Sequence, residues 1–286
     1  MKEEKNRVAF ISVLAAIFLT TFKIIVGVVT GSLGILSEAL HSGLDMVAAA
    51  ITWLAVRIAD KPADHDHHYG HGKVENLSAL IETFLLLITC VWIIYEATSR
   101  LVSGKTHIEV SVWSYVVIIV SIITDITRSR ALMRVAKKHN SQALEADALH
   151  FSTDIWSSSV VLLGLFCANF GIFVADSIAA LGVAIIVVYV SYKLGKRSIN
   201  VLLDTVPREV YEKTIEILDN LAEIENYHDL KVRASGADVF IEVNIHVAET
   251  LDVVRSHNIA TMIEDKMKRE FPRSFLHVHI EPDSHE

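Results

Sequence analysis

The chain has 286 residues, 52% hydrophobic and 21% charged, with a mean hydropathy of +0.41, more apolar than a water-soluble domain of this size needs for one core. Its net charge of −8 is unevenly spread: 17 Lys+Arg face 17 Asp+Glu up to Val206, and 9 face 17 in the last 80 residues. These figures argue against a soluble enzyme and against a nucleic-acid binder, which would carry a basic patch; they predict two bodies, an apolar one over 1–206 and a polar, acidic one over 207–286.

Crossing a bilayer takes about 20 mostly apolar residues. Six stretches qualify, 8–30, 34–58, 74–97, 112–133, 144–170 and 172–194, so the expected fold is six transmembrane helices with both termini on one side. Lys and Arg crowd that side, from Lys2, Lys5 and Arg7 to Lys193, Lys196 and Arg197, with Arg100 and Lys105 on the other. By the positive-inside rule both ends are cytoplasmic. The first apolar run is too long for a signal-peptide core and no small-residue cleavage pattern follows it, so it is expected to be retained. Lys23 inside that span is expected to carry its ammonium toward the outer surface on its long stem. Cys90 and Cys167 lie in apolar runs and suggest neither a disulfide nor a thiolate metal site.

His41 and Asp45 in the second span, and His150 and Asp154 in the fifth, share an i, i+4 spacing that puts each pair on one helix face. A carboxylate in mid-membrane costs about 2.5 to 3.5 kcal/mol, so two of them imply a compensating partner or a water-filled cavity. If the two helices face each other, two imidazoles and two carboxylates form a neutralising tetrahedral set suited to zinc. Asp125, in the fourth span, sits three residues before Arg128 and reads as half of a local salt bridge. Glu38 and Asp147 lie near the ligand faces of their helices and are expected to line the outer and inner approaches.

Between spans two and three, four histidines and two carboxylates fall in the eight residues from Asp64 to His71, a composition that could chelate a cation in many ways. Beyond Pro207, apolar periodicity predicts a helix over 209–224, strands over 229–233 and 239–247, a helix over 254–271 and a strand over 275–280, an αββαβ order. In the second strand Glu242, Asn244 and His246 alternate with apolar residues; in the third, His277, His279 and Glu281 do the same. Three ligand-type residues then share one strand face, and with His228 and His257 nearby in sequence order the tail reads as a further zinc site.

The stretches Gly31-Ser32-Leu33 to His41-Ser42-Gly43-Leu44-Asp45, His68-Tyr69-Gly70-His71-Gly72-Lys73-Val74-Glu75, and Glu145-Ala146-Asp147-Ala148-Leu149-His150 to Asp154 resemble the cation diffusion facilitator family, bacterial zinc/iron efflux type. The resemblance runs over nearly the whole chain. It implies a homodimeric, proton-coupled exporter of divalent metal in the bacterial cytoplasmic membrane, with His41, Asp45, His150 and Asp154 as transport-site ligands. It implies a second site at Asp64, His67 and His71. It also implies a cytoplasmic, metallochaperone-like α+β domain that dimerises around zinc, with His228, His257, His279 and Glu281 at ligand positions. Members that also carry iron or cadmium often have Asp where this chain has His41, so the His/Asp set is similar to the zinc-selective branch. Where related exporters carry a tail histidine this chain has Asn244, with His246 two residues on. Lys73 and Asp204 match a charge pair that in the family links the third and sixth spans.

Proton coupling has a physical basis, because imidazoles beside carboxylates take up protons that zinc must expel. Zn2+ is thus expected as the cargo and as a structural or regulatory ion. Two alternatives are an exporter with a broader Fe2+/Cd2+/Mn2+ range and a non-transporting, membrane-anchored zinc sensor, although a mere anchor has no reason to tolerate Asp45 and Asp154. An intramembrane metalloenzyme would want a base such as that of H-E-x-x-H, which is absent from the sequence.

Overall fold

The computed structural model describes residues 2–103, 112–168 and 174–283; Lys105 and the adjoining ends of the fifth and sixth expected spans, at 170 and 172, lie outside them. Two units emerge, one of Met1–Pro62 and Val74–Ile199, the other of Ala63–Lys73 and Asn200–Glu286.

Each expected span is a long helix: α1 Lys2–Thr30, α2 Leu33–Ala59, α3 Lys73–Ser103, α4 Val112–His139, α5 Gln142–Ala168 and α6 Val174–Leu202. Among the described residues, Lys2–Thr30, Glu38–Ala59 and Lys73–Ser99 are long and apolar enough to cross a membrane. Acidic and basic side chains lower the hydropathy of α4 and α5, which carry Asp125, Arg128, Asp147 and Asp154. Gly31, at φ +66°, and Ser32, whose Oγ accepts the Ile35 N–H, turn the chain between α1 and α2. Asn140, at φ +50°, ends α4 just before Ser141, whose Oγ accepts the Leu144 N–H at the start of α5.

Helix α1 packs on α2 and α4, and α5 on α4 and α2. Alanines at 9, 16, 49, 136, 143 and 148 line these contacts, and small side chains let helix backbones approach closely where lipid gives no hydrophobic drive to associate. Helices α3 and α6 meet through Leu86, Cys90, Val183 and Val187. The unit is polar inside and apolar outside: Ser12, Thr20, Thr52, Asn76 and Glu82 are buried, while Phe18, Val29, Ile88, Trp92 and Tyr189 are exposed. That pattern suits a hydrocarbon surround.

Lys23 departs from the expectation of an outward-reaching stem. It is 4% exposed, and its Nζ donates to Ser42 Oγ at 2.8 Å and to Glu38 Oε2 at 3.3 Å. Two α2 acceptors one turn apart satisfy it from the neighbouring helix, so the ammonium turns into the bundle. A second buried cation, Lys5, bonds Asp60 at 2.5 Å and Glu75 at 2.9 Å, and Ser141 donates to the other Glu75 oxygen at 2.5 Å.

In the other unit, α7 Arg208–Asp219, β1 Asn226–Ser235, β2 Asp238–Val247, α8 Val253–Glu270 and β3 Ser274–Pro282 run in the expected αββαβ order. The sheet order is β1-β2-β3, with β1 antiparallel and β3 parallel to β2. Val210, Ile217 and Leu218 of α7 and Ile259, Ile263 and Met267 of α8 cover Val232, Ile241, Val243 and Ile245 of the sheet. Helix α7 stops at Asp219, capped by Asn220, short of the expected residue 224. Leu221 and Ile224 pack on the same core from the turn, which is why the apolar period runs past the helix. Strand β1 starts earlier than expected, because Asn226 pairs with His246 across an irregularity between His228 and Lys231.

Candidate metal sites

In the helix bundle, His41 and Asp45 of α2 meet His150 and Asp154 of α5. His150 Nε2 lies 3.1 Å from Asp45 Oδ1 and 3.6 Å from Asp154 Oδ2; His41 Nε2 lies 3.8 Å from Asp154 and 4.0 Å from Asp45. Asp45, His150 and Asp154 converge as one ligand group, while His41 stands outside it, within reach of the two carboxylates only; ligands of a tetrahedral zinc are roughly 3.3 to 3.6 Å apart, so His41 must swing inward to complete a four-ligand set. Asp45 and His150 are buried, and His41 is half-buried at the rim. His41, Asp45 and Asp154 line a cavity of about 70 Å³ together with Asp125 and Arg128. Arg128 is fixed there, donating to Asp125 at 3.4 Å and to Ser12 at 3.1 and 3.2 Å, with its guanidinium 3.5 Å from the centre of the Phe151 ring. The local Asp125–Arg128 pair is therefore present, and it also faces the cavity.

Glu38 lies on α2 outward of Asp45 and is half exposed. Asp147 is 1% exposed and accepts from Ser12 at 3.3 Å, leaving its Oδ1 without a partner. Glu82, which sequence reasoning misses, is fully buried and accepts from the hydroxyls of Thr52 and Ser78. Its trace in the sequence is a lone acid inside an apolar run.

The loop between α2 and α3 gathers Asp64, His67 and His71. Asp64 Oδ1 is 3.2 Å from His67 Nδ1, and Oδ2 is 3.2 Å from His71 Nε2. The His67 backbone N–H donates to Asp64 Oδ1 at 2.8 Å and holds that carboxyl below its ordinary pKa. His65 points elsewhere, toward Asp66 at 3.6 Å. Gly70, at φ +72°, turns the segment, and Gly72 presses on the β1–β2 turn so closely that a Cβ would meet the Ser235 backbone. Tyr69 stands edge-on to Phe240 at 5.1 Å, and Arg233 covers Tyr69 at 4.0 Å. The Lys73–Asp204 pair is present at 2.8 Å.

On the tail sheet, the register places Asn244 beside His279 and His246 beside Glu281, so the expected face is shared. His246 Nε2 is 3.1 Å from His228 Nδ1 and 3.6 Å from Glu281, and His228, His246 and Glu281 converge as one ligand group. His279 is 3.5 Å from Glu281 but largely exposed. Asn244 donates to Glu281 at 3.4 Å and neighbours His228 at 3.3 Å. His257 is exposed on α8 and does not join that converging group. Asp283, 3.7 Å from His246 Nδ1, does border it; its place two residues beyond Glu281, just past the end of β3, is the available sequence clue.

Buried His/Asp pairs inside a bundle of long apolar helices, joined to an α+β domain with its own ligand cluster, define an integral membrane protein that handles metal cations. The chain belongs to the cation diffusion facilitator family: residues 9–203 match the cation efflux transmembrane domain and residues 206–283 the cation efflux protein cytoplasmic domain. It is 31% identical over 280 residues to the cation-efflux pump FieF of Shigella boydii, covering 98% of this chain and 93% of that protein. It is 30% identical, with the same coverage, to FieF of Citrobacter koseri. Two solved structures are also similar. The metal-bound C-terminal domain of the CzcD transporter from Thermotoga maritima covers 27% of this chain and 93% of its own, at 24% identity and TM-score 0.26. The zinc transporter CzrB in its Zn form covers 28% and 91%, at 25% identity and TM-score 0.25. The protein is thus an inner-membrane cation-efflux transporter rather than an enzyme, with a cytoplasmic domain of a kind that forms homodimers.

Proposed function

We propose that all six long helices span the membrane with both termini cytoplasmic, and that the protein exports Zn2+ from the cytoplasm in exchange for protons. The body over 1–206 carries the transport and the domain over 207–286 pairs two copies. The observation that supports this reading best is the convergence of Asp45, His150 and Asp154 as one ligand group inside the bundle, with His41 3.8 Å from Asp154 and 4.0 Å from Asp45 beside the cavity that His41, Asp45 and Asp154 line. Two carboxylates neutralise a divalent charge, and two imidazoles favour zinc over harder cations.

Exchange follows from competition at the same atoms. Zinc requires neutral imidazole and ionised carboxylate, so loading from the cytoplasm releases protons, and reprotonation from outside helps unload the site. Alternate opening to the two sides completes the cycle. The loop set Asp64, His67 and His71 and the tail set His228, His246, His279 and Glu281 hold further zinc ions, with His257 as an outlying tail ligand. Calorimetric zinc titration, in buffers of different ionisation enthalpy, of a full-length variant lacking the loop and tail histidines tests the coupling. Proton release per bound zinc is the expected result; binding with no release would remove the exchange mechanism. The sensor alternative is disfavoured by the same buried acids, which an anchor does not need.

A further inference from the structure

Lys23 lines the same cavity as His41, Asp45 and Asp154, and nothing in the exchange cycle uses it. Its Nζ donates to Ser42, the neighbour of His41 in α2, at 2.8 Å, and to Glu38, one turn further from the cytoplasmic end of α2, at 3.3 Å. Arg128, the other permanent cation there, is immobilised by Asp125, Ser12 and Phe151. Lys23 has a four-carbon stem with rotatable donors and a compact point charge, and at 4% exposure it is shielded from bulk water. A positive charge so placed repels a bound divalent ion twice as strongly as a monovalent one, with little screening. Transport sites must hold their ion firmly enough to load and weakly enough to release.

We infer that Lys23 is a tethered competing cation of the transport cavity: held between Ser42 and Glu38 at the rim of the ligand set, its ammonium weakens the grip on zinc and supplies countercharge for Asp45 and Asp154 as the ion departs. This rests on reading the cavity as the transport site. Glu38 is the parking partner, and its half-exposed carboxylate gives the departing ion its first ligand beyond the site. Lys23 thus sets the affinity of the site without ligating the metal.

The test uses the full chain with His67, His71, His228 and His246 replaced by Ala, so that zinc titrates the membrane site, and measures zinc affinity and zinc flux in proteoliposomes. Lys23→Met should bind zinc about tenfold tighter or more and release it more slowly, cutting flux at saturating zinc several-fold. Lys23→Arg should recover most of both differences. A dimeric Lys23→Met that binds zinc no more tightly than its parent overturns the inference, and so does a Lys23→Arg that behaves like the Met variant, because size rather than charge would then matter. Glu38→Gln, a substitution of like size at a half-exposed position, releases the ammonium toward the site and should weaken zinc binding several-fold; unchanged affinity also overturns the inference. Asp154→Ala is measured alongside. If it carries zinc as fast as the parent, the transport reading fails; if it is inactive while Lys23→Met binds like the parent, the failure belongs to Lys23 alone.

Discussion

His150 in the bundle and His228 on the tail sheet are the same side chain in opposite surroundings. The first is 3% exposed and held between two carboxylates of facing helices; the second is exposed on a strand, its ring tilted against that of His246 with centroids 5.1 Å apart. Buried carboxylates must be neutralised at all times, by metal, by protons or by a neighbouring fixed cation, because water cannot do it for them. Exposed ligands can stand empty, since solvent covers their charge. A cluster that must always hold some cation is suited to exchanging one for another, and a cluster that can be empty is suited to sensing or to joining subunits.

The contrast breaks first at Asp154. Asp154→Ala removes one ligand and half of the neutralising charge, so zinc flux should fall at least a hundredfold while the dimer persists by size-exclusion chromatography. Normal flux at equal protein density would show that the buried cluster is not the transport site. Next is pH. If protons compete with zinc at His41 and His150, zinc affinity of the membrane site should drop about tenfold or more between pH 7.5 and 6. A flat profile would make the buried cluster no different from a pH-insensitive one.

Much of the bundle site is legible in the sequence because a helix repeats every 3.6 residues, so the spacing of His41 with Asp45 and of His150 with Asp154 alone announces a shared face. The strand alternation of Asn244, His246, His279 and Glu281 is legible for the same reason at a period of two. What escapes are pairings set by tertiary approach. Lys23 reads as an outward-reaching stem because Ser42 and Glu38, its partners on α2, cannot be placed against α1 from local pattern. Lys5 with Asp60 and Glu75, and Glu82 with Thr52, escape likewise. Resemblance groups His257 with the tail ligands, yet it stands exposed on α8 outside their cluster.

Smaller effects sharpen the comparison. His41→Asp replaces one fixed nitrogen by a carboxylate that can bind through one or both oxygens, so the site can lengthen its bonds for a larger ion. Cadmium uptake should rise several-fold with zinc uptake retained; a mutant that still excludes cadmium, or a parent that already carries it as fast as zinc, places selectivity elsewhere. Gly72→Ala sets a methyl group against the Ser235 backbone and should destabilise the loop-and-tail unit by about 1 to 3 kcal/mol, as overpacking does, read as an earlier thermal transition of the full-length protein. His246→Ala should have the least effect on transport, leaving flux within about threefold, while removing the tail's zinc in a metal count of the purified protein. A tail that keeps its zinc without His246 would mean that His228 and Glu281 bind it with other partners.

The most direct measurement is zinc movement and luminal pH recorded together in proteoliposomes under an imposed pH gradient, with the parent and Asp154→Ala side by side. The account expects zinc to move against its own gradient in the parent, driven by protons moving the opposite way, with both fluxes lost in the mutant. Zinc movement that ignores the pH gradient, or proton and zinc fluxes that survive without Asp154, would contradict it.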